Sequence, residues 1–435
     1  MANILNLHLL HTTPVANLNR DQAGIPKTAM LGGVLRNRIS SQARKRPIRI
    51  AYETEVGGER TSRSKLFAES DALSRLHEAL TERGVDLDAT VRDQVEAGTL
   101  PAGLLDEKPA KATKKRVTVP VPLDVSVRAA AKILFQFYLD QMILKPDNVK
   151  ARYDTNVDEA RAGQDITVAD PASDDTGDTL MWFAESELAE FVAEVTQRFH
   201  GQADADPLTM IEPNRTRSLA IAAFGRMFAQ RPELQTHAAV QVAHSIGTHA
   251  YLNTADYYTA VDDLSLSLHG HAGAGHIAQT ILSSATLYSH LAVDLDQLAR
   301  NWITPDQPEA AHRHLTVFYR EAMLAMPKGM ANSTAPTTIP DYVSVIAAPR
   351  RGSFAPAFDA PIAPATDTSG GYITGSIHRL KDYTQRIQRF APGTFDDQIE
   401  ASILDPDRHN LDEIISFCVD RTVAAIAAAH REYVA

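Results

Sequence analysis

A single cysteine, Cys418, occurs in 435 residues. That excludes an intramolecular disulfide framework and a cysteine-based zinc site, and it fits a reducing compartment. No apolar run approaches the roughly 18 residues of a membrane span. The N-terminus lacks the basic flank, apolar stretch and cleavage site of a signal peptide. A soluble, cytoplasmic protein is therefore expected, with no membrane partner. Walker, GxSxG and HExxH patterns are also missing. The most telling scarcity lies in the first fifty residues, which hold no Phe, Tyr or Trp and one acid, Asp21. Against that acid stand eight cations: Arg20, Lys27, Arg36, Arg38, Arg44, Lys45, Arg46 and Arg49. The stretch carries +7 in a chain of net charge −11, so the other 385 residues carry −18. Fields between exposed charges are screened within about 10 Å at physiological salt, so local charge decides partners. Two readings follow from charge alone: a surface for one polyanion, or a solvated basic helix that offsets an acidic bulk.

What is present divides unevenly along the chain. A length of 435 residues exceeds a comfortable single core, so two or more lobes are expected; 44% hydrophobic and 22% charged residues are ordinary globular values. Asn3 to His11 alternates, with Leu5, Leu7 and Leu9 on one face and Asn6 and His8 on the other, as in a strand with one buried face. Thr12 to Gly33 reads as loop, punctuated by Pro14, Gly24, Pro26 and Gly32-Gly33. Ser40-Ser41 offers a helix N-cap, although Pro47 predicts a bend or a later start. Helical spacing marks 125–144, 182–199, 310–326 and the C-terminal alanine-rich stretch; 237–250 also reads as helix and 277–287 as strand. Ser218 to Met227 reads as a buried segment ending in a glycine and a cation. Residues 154–178 read as an acidic loop and 269–275 as a glycine loop.

Loop cations beside glycines and a helix N-terminus suit phosphate oxygens, because backbone N–H groups and the helix dipole add to side-chain charge. Ser40, Ser41 and Gln42 supply donors of the kind that contact sugar and phosphate. The absence of aromatics there argues against a base-stacking surface. His269, His271 and His276 have metal-like spacing, but no acid or cysteine completes a set, and a loop is the better reading; no metal site is expected. Cys418, among Ile414, Ile415, Phe417 and Val419, reads as core. Asp262-Asp263 reads as a turn or cap, while Arg350-Arg351-Gly352 is equally a phosphate contact or a surface turn.

The run Leu18-Asn19-Arg20-Asp21, then Lys27, Gly32-Gly33, Arg38-Ile39-Ser40-Ser41-Gln42 and Lys45-Arg46, resembles the N-terminus of the CasC-type backbone subunit of the type I-E CRISPR surveillance complex, Cascade. The similarity resumes at Gly225-Arg226-Met227, His244-Ser245-Ile246, His249 and Thr259 to Leu264, then His276, Ser283-Ser284, Tyr288 and Ala292 to Leu295. The matches keep their order over about two thirds of the chain.

The resemblance implies an α+β, hand-shaped fold. Its ferredoxin-like or RRM-type palm would take residues 1–55, 218–227 and 266–435, a helical fingers insertion 56–217, and a thumb projection 228–265. It implies a non-catalytic protein without cofactors. Several copies would stack head-to-tail along a CRISPR RNA guide, kink it at intervals and present its bases to target DNA in antiviral defence. Further partners implied are the crRNA-processing endonuclease, an end-capping subunit, and the small and large Cascade subunits. RNA-binding positions carried over are Arg20, Lys27, Arg38, Ser40, Gln42, Lys45, Arg49, Arg226 and Met227, with Met227 either a wedge at the kink or core. Lys111, Lys114, Lys115 and Arg116 form a second basic knot that by charge analogy meets the target duplex. Arg36, Arg44 and Arg46 are expected to be electrostatic background. The cationic loop usual before the late palm strand is reduced here to Lys328. Two rivals remain: a type III-like subunit that cleaves bound RNA through Asp21, and a self-assembling scaffold whose basic end meets an acidic face of the next copy.

Overall fold

The computed structural model describes residues 3–57, 60–64, 149, 151, 153–156, 181–199, 211–228, 232–261, 274–366 and 370–434. The chain divides into two units, 1–57 with 238–435, and 58–237. In chain order the described elements begin with β1 (Ile4–Ala16), β2 (Thr28–Leu31), β3 (Val34–Ile39) and α1 (Ser41–Val56). The second unit adds β4 (Thr61–Ser64), β5 (Met181–Ala184), α2 (Glu185–Phe199) and α3 (Leu219–Phe224). The chain then forms β6 (Val240–Val242), β7 (Ser245–Gly247), β8 (Thr254–Val261) and β9 (Ala274–Asp294), followed by α4 (Leu295–Asn301), α5 (Pro308–Leu324) and α6 (Ala331–Thr334). It closes with β10 (Tyr342–Ala348), α7 (Ile373–Phe390), β11 (Asp397–Ser402) and α8 (Leu411–Val434).

The first unit is organised around one antiparallel sheet of nine described strands, ordered β11-β10-β1-β9-β7-β3-β2, with β6 and β8 also on β9. β1 is central. Ile4 pairs with Ala348 of β10 on one side and Asp294 of β9 on the other. The inner order β10-β1-β9-β6 encloses α1 between β1 and β6, and α5 between β9 and β10, a β-α-β-β-α-β path. Helices α1 and α5 pack together, α5 packs on α8, and α8 on α4, with contacts to β6, β9 and β10. Leu10, Tyr288, Tyr342, Phe354, Phe358, Ile377 and Leu380 form a core on the other face, under α7. Each such side chain, fully buried, contributes about 1.5–3 kcal/mol.

Covering both faces overturns the expectation of one buried face for the first strand. Asn6 and His8 are as enclosed as Leu5, Leu7 and Leu9. Most of their polar atoms find partners from distant segments, although His8 Nε2 has none: Asn6 Nδ2 donates to Arg350 O at 3.0 Å, and the Tyr288 hydroxyl meets His8 Nδ1 at 2.8 Å. His8 also stacks on Phe354 at 4.1 Å. Burial, then His290, holds His8 well below the ordinary imidazole range, so it is neutral.

Other expectations change in the same way. The stretch 12–33 is only partly loop, since β1 runs to Ala16 and Gly32-Gly33, both at positive φ, closes a hairpin between β2 and β3. A Cβ on Gly32 would fall 1.8 Å from Asp359 O, so glycine is required there. Residues 237–250 are not helical. They supply β6 and β7, because Val240, Val242 and Ile246 meet the open side of β9, whose hydrogen bonds override an alanine-rich local preference. The strand read at 277–287 is the middle of the much longer β9. Residues 182–184 are strand, and α2 begins at Glu185 with acids in its first turn. Ser40 is the N-cap of α1, its hydroxyl accepting from Ala43 N–H. The helix continues through Pro47 because Ile48, Tyr52 and Val56 are buried on one side of it. Helices α5 and α8 lie where periodicity placed them, and Cys418 is buried.

In the second unit β4 pairs antiparallel with β5. The wholly buried α3 belongs here, although 218–227 was expected with the palm. Of the stretch 228–265, residues up to 237 lie in this unit, while β6, β7 and β8 belong to the first. Lys111, Lys114, Lys115, Arg116, the helix read at 125–144, Asp262-Asp263, His269 and His271 lie outside the described residues, as does the acidic stretch beyond Asn156. No described helix is long and apolar enough to cross a membrane.

Candidate nucleic-acid interface

The N-terminal cations separate into those that the fold encloses and those that it presents. Arg36 and Arg44 are enclosed. The Arg36 guanidinium donates to the carbonyl oxygens of Gly247, Thr248, Phe358 and Asp359 at 2.9–3.1 Å. Arg44 reaches the C-terminal end of α5, donating to Ala325 O at 2.6 Å and Ala322 O at 3.3 Å and contacting Met326 Sδ. There it complements the negative end of the helix dipole. Burial pulls Arg44 down to about 10, still charged at neutral pH. These two are not electrostatic background; they are internal fasteners. Arg46 is exposed.

Arg20, Lys27 and Arg38 are presented by a loop and two strands held in fixed register. Asn19 is the hub: its carbonyl accepts from Lys27 N–H at 2.8 Å, and its Oδ1 accepts from Ser40 N–H at 2.9 Å. Arg38 N–H donates to Lys27 O at 2.9 Å, and Arg20 bridges Pro26. Asn17 Nδ2 fastens the loop to Gly24 O and Ile281 O. The three cations thus lie side by side across neighbouring backbone segments, with Arg20 exposed and Lys27 and Arg38 half-exposed. Lys27 and Arg38 border a shallow cleft together with Asn19 and Ser283.

The start of α1 adjoins this cleft through Ser40. Its first turn has no acid, so the positive end of a 16-residue helix is not offset there. Ser41 is half-buried and Gln42 exposed, with Ser41 Oγ 3.3 Å from Gln42 Oε1. Lys45 is half-buried on the same helix. Arg49 is paired with Glu53 at 3.0 Å, so its charge is partly offset within its own helix.

Two contributors were not legible in the charge pattern. Gly329 packs so closely on the N-terminal loop that a Cβ would come within 2.6 Å of the carbonyl oxygens of Asn17 and Leu18. That contact sets the exposed Lys328 beside the cationic loop, from which it is three hundred residues distant in sequence. His244 meets Arg38 Nη1 through its Nδ1 at 3.3 Å. Burial first, then Arg38 and Lys27, lower its pKa below the ordinary value. The sequence signals were present but weak: a lone lysine before a glycine, and a histidine in a matched motif.

The remaining expected positions fall elsewhere. Arg226 is enclosed in the second unit, 2.6 Å from the Glu187 carboxylate and within 5.2 Å of the Phe228 ring centre. Glu187 also accepts from Ala184 N–H and the Thr216 hydroxyl. Met227 is 65% exposed, which excludes a core role. Asp21 Oδ1 accepts from Ala23 and Ile25 N–H groups at 2.9 and 3.1 Å, a turn-forming role. Arg351 pairs with Asp294, and Arg350 is exposed. Among the described residues no group of three His, Cys, Asp or Glu is arranged to hold a metal ion.

A sequence profile of a family described as CT1975-like protein, Cas_CT1975, matches residues 5–414. No protein in the curated set matches significantly. Among solved structures, a chain from a "CRISPR RNA-guided surveillance complex, pre-nicking" superposes with a TM-score of 0.57 at 24% identity, covering 96% of this chain and 100% of that one. A chain from a "CRISPR RNA-guided surveillance complex" gives 0.49 at 20% identity, covering 98% and 99%. The first of these shares the mixed α/β fold with its large antiparallel sheet.

Proposed function

The chain belongs to the CT1975-like protein family, and we propose that it is a non-catalytic, guide-RNA-holding backbone subunit of a CRISPR surveillance complex of the type I-E, CasC kind. One observation carries this reading: Lys27 and Arg38 border one cleft beside an acid-free helix N-terminus, with exposed Arg20 in the same loop and Lys328 next to the Gly329 that packs on that loop. Such a surface grips phosphate and ribose. No Phe, Tyr or Trp lines the cleft to sequester a base, and a guide must keep its bases free because pairing supplies the sequence specificity.

The architecture supports the same reading. The strand order β10-β1-β9-β6 with two intervening helices is that of a ferredoxin-like or RRM-type palm. In this reading residues 228–265, which include β8, form the thumb, and the 56–217 insertion supplies the fingers. Several copies stack head-to-tail in the cytoplasm, alongside the other Cascade subunits, and target DNA pairs with the presented bases. The engagement of Asp21 in its own turn fits a structural loop, and bound RNA is left intact.

Copurification tests the reading. Expressed with its partner subunits, the protein should retain guide RNA, and Lys27→Glu with Lys45→Glu should lower retention for every guide sequence alike. Loss confined to some spacers would contradict backbone-only recognition. A complementary RNA incubated with the assembled complex and Mg²⁺ should stay uncut; cleavage would return the type III-like alternative.

A further inference from the structure

Beside the cationic cleft, against Arg38, lies a titratable group that gripping phosphate by permanent charge does not require. His244 lies between β6 and β7, and Arg38 faces it from β3 because Arg38 pairs with Ile246, two residues on. Arg38 Nη1 carries only hydrogens, so the contact at 3.3 Å makes His244 Nδ1 the acceptor. The ring proton therefore sits on Nε2, where the imidazole is a neutral donor. A second proton would have to enter at Nδ1, against Arg38.

The two charges that act on the ring, Arg38 and Lys27, are of one sign. Arg38 on β3 and Lys27 before β2 both oppose its protonation, after burial. From the other bordering elements, α1 brings Lys45 and the Arg49–Glu53 pair, and β9 brings His290, buried against His8 and pushed down to about 4 by that burial. An anion placed between Lys27 and Arg38 would reverse this balance. It would draw Arg38 away from Nδ1 as a hydrogen-bond donor and favour the imidazolium.

We propose that His244 is a proton-linked RNA-backbone contact, which takes up a proton at Nδ1 when a phosphate of the guide settles between Lys27 and Arg38. The inference rests on the guide-holding reading above and deepens it: part of the grip is regulated by pH. The proton comes from solvent, and no bond other than N–H forms. Linkage gives the sign. The bound state holds the higher pKa, so RNA binds more tightly as pH falls through it, and the gain ceases below the pKa of the free protein.

An oligouridylate is a suitable probe, since its bases and phosphates do not titrate between pH 5.5 and 8. With the full-length protein, affinity measured by fluorescence anisotropy should rise about threefold or more from pH 7.5 to 6, within the limit of tenfold per pH unit for one proton. Calorimetry in buffers of different ionisation enthalpy should register proton uptake on binding. His244→Gln, which cannot take up the proton, should lose the slope and the proton uptake, whatever its affinity at pH 8. His244→Arg, which carries the charge permanently, should bind with high affinity and no slope. Circular dichroism of each variant reports whether the fold is intact across the range. A slope that persists in His244→Gln, or no slope and no proton uptake in the natural protein, overturns the inference and leaves the guide-holding reading standing. Failure to bind the probe at all, with Lys27→Glu making no difference, overturns both.

Discussion

Arg226 of the second unit and Lys27 of the first illustrate opposite uses of a cation. Arg226 is closed in between Phe183, Phe228 and the Glu187 carboxylate, with its side chain 1% exposed. Lys27 stands half-exposed at a cleft whose other charged lining residue, Arg38, has the same sign. A like-charged exposed group is poorly compensated and draws an external anion, whereas a buried and paired one holds its own lobe together. Removing each residue should therefore damage different properties.

The largest effect is expected at the buried pair. Arg226→Ala leaves Glu187 buried without its counter-charge and should cost about 3–5 kcal/mol of stability, read by chemical denaturation. A change under 1 kcal/mol would mean that the pair is dispensable. Acid should next weaken the first unit. Burial pushes His11 and His290 down to about 4, so both are neutral when folded and charge near 6.5 when unfolded. The unfolded state then binds more protons between those limits, and stability falls as pH drops from 6.5 towards 4. By pH 5 the loss should approach 2 kcal/mol per histidine. Replacing His290 with a neutral residue should flatten the melting temperature over that window.

Gly32→Ala comes third. The clash with Asp359 O and the positive φ together predict a loss of about 1–3 kcal/mol, without a direct effect on charge. The smallest effect on stability, under about 0.5 kcal/mol, is expected for Lys27→Glu and Lys328→Glu at the surface. Their effect should instead fall on RNA. Each should lower affinity uniformly across sequences and reduce the salt slope by about 0.7 per lost phosphate contact. If Lys27→Glu destabilised the fold as much as Arg226→Ala, the contrast between the two regions would collapse.

Much of this was legible in the chain. The Ser40 cap, the long amphipathic helices, the existence of β1 and the acid-free first turn of α1 are local properties, fixed by side chains within a few residues of one another. Other features were hidden because they depend on distant partners. The stretch 237–250 reads as helix until the open edge of β9 is available to it. Arg36 and Arg44 look like surface charge until carbonyl groups two and three hundred residues away converge on them.

The sequence by itself determined that the N-terminal fifty residues carry a concentrated, nearly unopposed positive charge without aromatic rings. Charge and ring content are additive properties of composition and survive any fold. Only the tertiary structure decided which of those cations meet solvent, that Lys328 and His244 join them, and that Arg226 does not turn outward from its lobe. Those outcomes depend on desolvation and on hydrogen-bond geometry between segments far apart in the chain, which no local pattern encodes.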